Sequence, residues 1–313
     1  MTGRSERLAG FLAALLSALA GFALPLHAQQ PSPKPITLAA IIESMEARER
    51  LADSVVVRWN RDEQYSAGAL LEKASTWTSQ CEMLLKGGSM RYVGTTFSHS
   101  GASVTQIHHV SSYDGKESRF LQGTKPPLGH ILVLEEDEKG NTDAGVPSLR
   151  PLMLYFRPLA EPYNTLSRKT LKLLDERKTI DGRECVSVDD GRTRVYVDRD
   201  RDFVPVAFDC RTTKGRFVYG GTLEYYHKRG AMQWLPKAFH VTMHFRGQNV
   251  ADRIRGEGVQ TEIGVPLKDS DFVLKFEPGT IVWDARTREE YRILSDGSKE
   301  PIERRRRRRA PPK

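Results

Sequence analysis

The chain has 313 residues, of which 39% are hydrophobic and 28% charged, and its formal net charge at pH 7 is +8. Arg304 to Arg309 and Lys313 supply seven of those charges, and the excess of Arg4 and Arg7 over Glu6 supplies the eighth, so the body between is neutral. A nucleic-acid-binding domain carries its basic excess on the folded surface, where it tracks phosphates; this distribution excludes that class for the body of the chain.

The first residues, MTGRSERLAGFLAALLSALAGFALPLHAQQ, have a basic start, an apolar run from Leu8 to Leu24, and Pro25 ahead of Leu26-His27-Ala28. That is the grammar of a signal peptide spanning 1–28, so the mature chain is expected outside the cytoplasm, in the periplasm or cell envelope. An uncleaved membrane anchor is the rival reading of the same run. No cysteine stands near the cleavage point, so a lipid-modified amino terminus is not expected. Residues 29–35 read as a Pro-rich linker, and 36–297 as one domain.

Thr37 is placed to cap a helix running to about Leu51, with Leu38, Ile41, Ile42 and Met45 at helical spacing and Glu43, Glu46 and Arg50 outward. Thereafter the period falls to two. "SVVVRWN" is short and β-branched, and "STWTSQCEML" puts Trp77, Cys81 and Met83 on one face against Thr76, Thr78, Gln80 and Glu82 on the other. Lys86-Gly87-Gly88-Ser89 turns the chain into "MRYVGTTF", Asp114-Gly115 joins "SVTQIHHVSSY" to "KESRFLQ", and Arg229-Gly230 joins "TLEYYHK" to "MQWLPKAFHVTMHF". "LKLLDERKTI", three strands around Cys185 and Cys210, and a late run from Phe272 to Phe276 complete a largely antiparallel meander. Asp284 and Tyr291 are expected to stabilise a closing hairpin of "TIVWDAR" with "EEYRIL" after the Pro278-Gly279 turn.

One segment interrupts the strands. "PSLRPLMLYFRPL" sets Leu149, Leu152, Met153 and Phe156 at helical spacing between Pro147-Ser148 and Pro158, after the polar loop "EEDEKGNTDAG". An apolar helix within a curved sheet is either core or a plug over its concave face.

Chemistry-bearing patterns are sparse. His240 and His244 alternate on a strand, where four residues span about 13 Å, too far for one metal, and His108 and His109 point to opposite faces. Asp198, Asp200 and Asp202 lack the glycine and distal glutamate of a calcium loop and are interleaved with Arg199 and Arg201, so they read as a charged turn. No metal and no cofactor is expected, and no GxSxG, SxxK or HExxH pattern supports hydrolysis. Cys185 and Cys210 flank a middle strand, two strand spacings apart, which predicts free thiols rather than a disulfide. The tail, 298–313, reads as disordered, with Arg304, Arg305, Arg306, Arg307, Arg308 and Arg309 either solvated or placed on an anionic membrane surface.

The amino-terminal helix, the long meander and the mid-chain apolar helix together resemble the superfamily of the periplasmic outer-membrane lipoprotein carrier, the LolA/LolB-like proteins. "YDGKESRFL", "SLRPLMLYFRPL", "TRVYVDRDRDFVPVAF" and "FEPGTIVWDARTREEY" are similar to segments of an exported bacterial branch of it. The resemblance implies an α+β fold, a curved antiparallel half-barrel wrapped around the two helices. It implies a non-enzymatic protein of the cell envelope that binds the acyl chain of a lipid or lipoprotein, with Leu149, Leu152, Met153 and Phe156 in the hydrophobic cavity. A regulatory or scaffold protein that binds a protein partner through the same fold is the alternative. The greater length and the arginine tail depart from the compact carrier, which leaves lipoprotein shuttling itself open.

Overall fold

The computed structural model describes residues 36–65, 75–100, 103–132, 149–160, 165–211, 217–244 and 251–302. The expected signal peptide, linker, acidic loop at 135–145 and six tail arginines lie outside them. Helix α1 (Leu38–Leu51) begins where expected: Thr37 is extended, and its side-chain oxygen accepts from Ala40 N–H at 3.1 Å. Ile41 and Met45 are buried, and Arg48 is buried with them on the same helix.

Six strands follow as one antiparallel meander: β1 (Ser54–Tyr65), β2 (Ser75–Lys86), β3 (Ser89–Ser100), β4 (Ser103–Tyr113), β5 (Ser118–Gln122) and β6 (Leu128–Leu132). Helix α2 (Arg150–Phe156) then precedes a second meander. It comprises β7 (Lys172–Ile180), β8 (Arg183–Asp189), β9 (Thr193–Asp198), β10 (Val204–Arg211), β11 (Phe217–His227), β12 (Trp234–His244) and β13 (Ala251–Ile263). The two meanders join through β1 and β13, which pair antiparallel with Val55 opposite Ile263.

The closing hairpin also forms, from β14 (Ile281–Asp284) and β15 (Glu289–Ile293), and β16 (Lys299–Pro301) pairs outside it. Here Val282, Tyr291 and Ile293 pack with Ile131 and Phe276, and Arg286 bonds both carboxylate oxygens of Asp284. What the period-two pattern does not reveal is that β14 adds to β6 in parallel, Ile281 opposite Leu128. The result is a curved, open sheet of sixteen strands with β16 and β7 as its edges, antiparallel except at that one junction, together with two α-helices among the described residues. Both edges are poor templates for a further strand: β7 carries Lys172, Asp175, Glu176, Arg177 and Lys178, and β16 is three residues ending in proline.

Two expectations need correction. The run Phe272 to Phe276 is not a strand: Asp269–Phe272 is a 3-10 turn, and the following residues join no ladder. Arginine side chains take carbonyls of the turn and the run instead, Arg91 donating to Asp271 O at 3.0 Å and Arg119 to Leu274 O at 2.7 Å. The sheet also runs past residue 297, since β16 lies inside the segment read as tail. The cysteines stand as expected. Cys185 pairs with Asp198 and Cys210 with Thr193, at opposite ends of β9, and Cys81, Cys185 and Cys210 are all buried thiols outside any disulfide, Cys210 Sγ lying 3.9 Å from Thr193 Oγ1.

Candidate functional site

The inner face of the sheet is set by the parity of β1. Val55, Val57, Trp59, Arg61 and Glu63 are buried, while Arg58, Asn60, Asp62 and Gln64 between them are exposed. On β2 the matching inward positions are Leu85, Met83, Cys81 and Ser79, opposite Val55, Val57, Trp59 and Arg61 in turn. The strand therefore runs from an apolar part near α2 to a polar part beyond Trp59.

At the apolar part, α2 is buried on every side. Leu149, Leu152, Met153 and Phe156 each have 0% exposure, so the helix and its N-cap residue Leu149 place all four sequence-predicted residues inside the protein. Burying side chains of this size stabilises by about 1.5–3 kcal/mol each. Polar groups fix the ends of the helix. Arg150 donates to Thr165 O at 2.7 Å and to Thr193 Oγ1 at 2.6 Å. Arg157 donates to Asp53 O at 2.9 Å and Gly87 O at 3.3 Å, and Tyr155 Oη donates to Trp234 O. Glu49 Oε1 accepts from Leu159 N–H at 2.6 Å and Ala160 N–H at 2.8 Å, which ties the segment after α2 back to α1. Arg48 stands 5.4 Å over the Tyr155 ring and donates to Asp202 O at 2.9 Å. Burial pushes the Tyr155 and Tyr225 phenols up, so both are neutral donors at physiological pH.

Beyond Trp59 the same face is a hydrogen-bonded polar network. Arg61 Nη1 donates to Tyr92 Oη at 2.9 Å and Nη2 to Ser79 Oγ at 3.1 Å, Ser79 bonds Thr96 Oγ1 at 2.9 Å, and Glu63 pairs with Arg61 at 3.1 Å. Tyr65 Oη donates to Glu63 Oε2 at 2.6 Å, and Cys81 Sγ lies 3.4 Å from Tyr92 Oη. Burial raises the Tyr92 phenol and the Cys81 thiol, with Arg61 opposing both. His109 is half-buried, and burial, with Arg61 adding to it, lowers its basicity. Strand-parity reading stopped at Asn60 and missed this network; carrying the β1 alternation three residues further puts Arg61 and Glu63 inward.

Between the two parts sits Trp59, stacked on Tyr92 at 6.0 Å and edge-on to Phe239 at 6.3 Å. Two glycines make room for these rings. A Cβ at Gly256 would lie 2.2 Å from the Phe239 ring, and one at Gly94 would lie 2.5 Å from Tyr92 Oη.

Elsewhere the chemistry is structural. Asp198 is buried, accepts from Asp200 N–H at 3.0 Å and faces Arg201 at 3.5 Å and Arg183 at 3.8 Å, as the charged-turn reading has it. The Cys185 thiol beside it is pushed up to about 11, first by burial and then by Asp198. Among the described residues no group of three His, Cys, Asp or Glu side chains is placed to hold a metal ion, and no helix is long and apolar enough to cross a membrane. The six tail arginines predicted as an anion contact lie outside the described residues.

No family model matches the chain, and no curated protein matches its sequence. Among solved structures it is similar to a domain named for outer-membrane lipoprotein sorting from Vibrio parahaemolyticus, at 13% identity over 74% of this chain and 94% of that one, with a TM-score of 0.47. It is also similar to a DUF1329 family protein from Desulfovibrio piger, at 12% identity over 75% and 96%, TM-score 0.46. A third similar structure is a LolA superfamily protein from Nitrosomonas europaea, at 13% identity over 77% and 99%, TM-score 0.43.

Proposed function

We propose that this chain is an exported, non-enzymatic protein of the periplasm or cell envelope that binds the acyl chain of a lipid or lipoprotein against the inner face of its sheet. The observation that carries the reading is the concentration of methionine there. Met45 on α1, Met153 on α2, Met83 on β2 and Met90 on β3 all have 0% exposure. Methionine is unbranched and polarizable, and it repacks around differently shaped apolar partners more readily than branched side chains do. An acyl chain would enter by displacing Leu152, Met153 and Phe156 from the space they fill, and its burial would supply about 25 cal/mol per Å².

A second reading draws on the same zero exposure: a sheet already filled by its own side chains suits a scaffold or regulatory protein that binds a protein partner on its outside. Native mass spectrometry separates the two. The exported chain, purified without detergent, should carry lipid or take up added fatty acid, and Met153→Glu or Phe156→Glu with an intact circular dichroism spectrum should abolish uptake. A clean apo mass that stays clean when lipid is added moves the scaffold to first place.

For the tail, we propose contact of Arg304 to Arg309 with an anionic membrane surface, each arginine adding about 1 kcal/mol near such lipid. Deleting residues 304–313 should weaken binding to phosphatidylglycerol vesicles and leave the melting temperature unchanged. Vesicle binding indifferent both to the deletion and to salt overturns the contact.

A further inference from the structure

Buried hydrogen-bond donors in folded proteins almost always meet an acceptor, and an exception marks a place that a water or a ligand atom can satisfy. Two donors on adjacent strands of the inner face are such exceptions. Trp59, 3% exposed, has an Nε1–H with no acceptor among the described residues, and the same holds for the Thr261 hydroxyl on β13. Thr261 stands opposite Val57, two positions along β1 from Trp59, so both donors belong to one neighbourhood of the β1–β13 seam. On one side along β1 are the apolar residues Val55, Val57 and Met83; on the other, Arg61, Tyr92, Ser79 and Thr96 bond one another.

We infer that the interior recognises an acyl group by its carbonyl, Trp59 Nε1–H donating to that oxygen while the hydrocarbon lies toward α2. The assignment rests on the acyl-binding reading above and adds to it the polar atom the ligand must carry and the side chain that reads it. Trp59 suits the role because its ring is held between Tyr92 and Phe239. Thr261 is a second donor for an ester or amide group, which offers more than one lone pair. A free alkane satisfies neither donor; fatty esters, lipids and acylated proteins share the carbonyl that does.

The test compares methyl laurate with a straight-chain alkane of matched length, both titrated into the full mature chain. The ester should bind about tenfold more tightly, the yield of one satisfied buried donor. Trp59→Phe should erase most of that advantage while keeping an aromatic ring against Tyr92 and Phe239, and Thr261→Val should lower ester affinity about threefold. In nitrogen-labelled wild-type protein the Trp59 indole proton should move downfield with the ester and stay in place with the alkane, which decides the matter even where a variant fails to fold. Equal affinity for the two probes, or an ester advantage that survives Trp59→Phe with the indole proton unmoved, overturns carbonyl recognition and leaves acyl binding standing. Failure of both probes to bind takes down the acyl-binding reading together with this inference.

Discussion

Within one strand, β1, the inner face changes material. Val55 and Val57 meet apolar neighbours, whereas Arg61 and Glu63 two turns of the pleat further on meet hydroxyls, a phenol and each other. The apolar part is held by contacts that have no preferred direction, so its side chains exchange partners at low cost. The polar part is held by bonds of fixed length and angle, each of which is expensive to leave unmade in a dry interior. A protein that must admit a guest without losing its register benefits from this division: one part yields and the other holds.

The comparison is broken most sharply at Glu63. Removing it by Glu63→Ala leaves Arg61 charged and buried, which should cost about 3–5 kcal/mol in urea unfolding, whereas the paired replacement Arg61→Met with Glu63→Leu should be nearly neutral. If the single and double variants unfold alike, the polar part is not specifying anything through its ion pair. At the apolar part, Met153→Ala should cost roughly 3 kcal/mol through the cavity it leaves, while Met153→Leu should cost under about 1.5 kcal/mol because volume is kept. Equal losses from the two Met153 variants would mean that the site demands one shape and lacks the adaptability proposed for it. A smaller effect, about 1 kcal/mol, is expected when Thr37→Ala removes the cap of α1.

The subtlest effect concerns Glu49, which joins α1 to the segment after α2. Burial holds its carboxyl above the ordinary value of 4.5, against the backbone donors at Leu159 and Ala160 and the nearby Arg157 and Arg48. A group whose pKa is raised by folding contributes stability that is fully present below its unfolded pKa and is lost as pH rises through the folded one. Wild-type stability should therefore carry a shallow decline as pH climbs from just below the ordinary glutamate value, and Glu49→Gln should remove that decline. Parallel urea midpoints for the two proteins across this range would show that the latch does not titrate.

Much of the architecture was legible because it rests on local rules. The Thr37 cap, the Asp114-Gly115 and Arg229-Gly230 turns and the alternation around Cys81 each depend on a few adjacent residues, and each appears where those residues place it. Phe272 to Phe276 misled because its apolar alternation is real: Phe272 and Leu274 are buried, yet Arg119 takes the Leu274 carbonyl and Arg91 that of Asp271 just before the run. The parallel junction of β14 with β6 was invisible because nothing in either strand's pattern names its partner. At the candidate site, the spacing of Leu149, Leu152, Met153 and Phe156 announced a buried helix stripe. The anchors Arg48, Arg150 and Arg157 did not announce themselves, since an arginine in a helical segment reads as solvent-facing until its carbonyl partners are known.

The seam between β1 and β13 has a consequence for the order in which this molecule can be assembled. Val55 finds Ile263 only after nearly the whole domain has been synthesised, so β1 has one neighbour, β2, until the last long strand arrives. Each meander can zip from its own hairpins, but joining them requires closing a loop that contains both, and contacts so distant in sequence are the slow ones. Trp59 and Thr261 lie on that seam. The groups proposed to read a ligand are thus among the last to be enclosed, and a chain interrupted before Ile263 would present them, with the apolar face of β1, to whatever else is nearby.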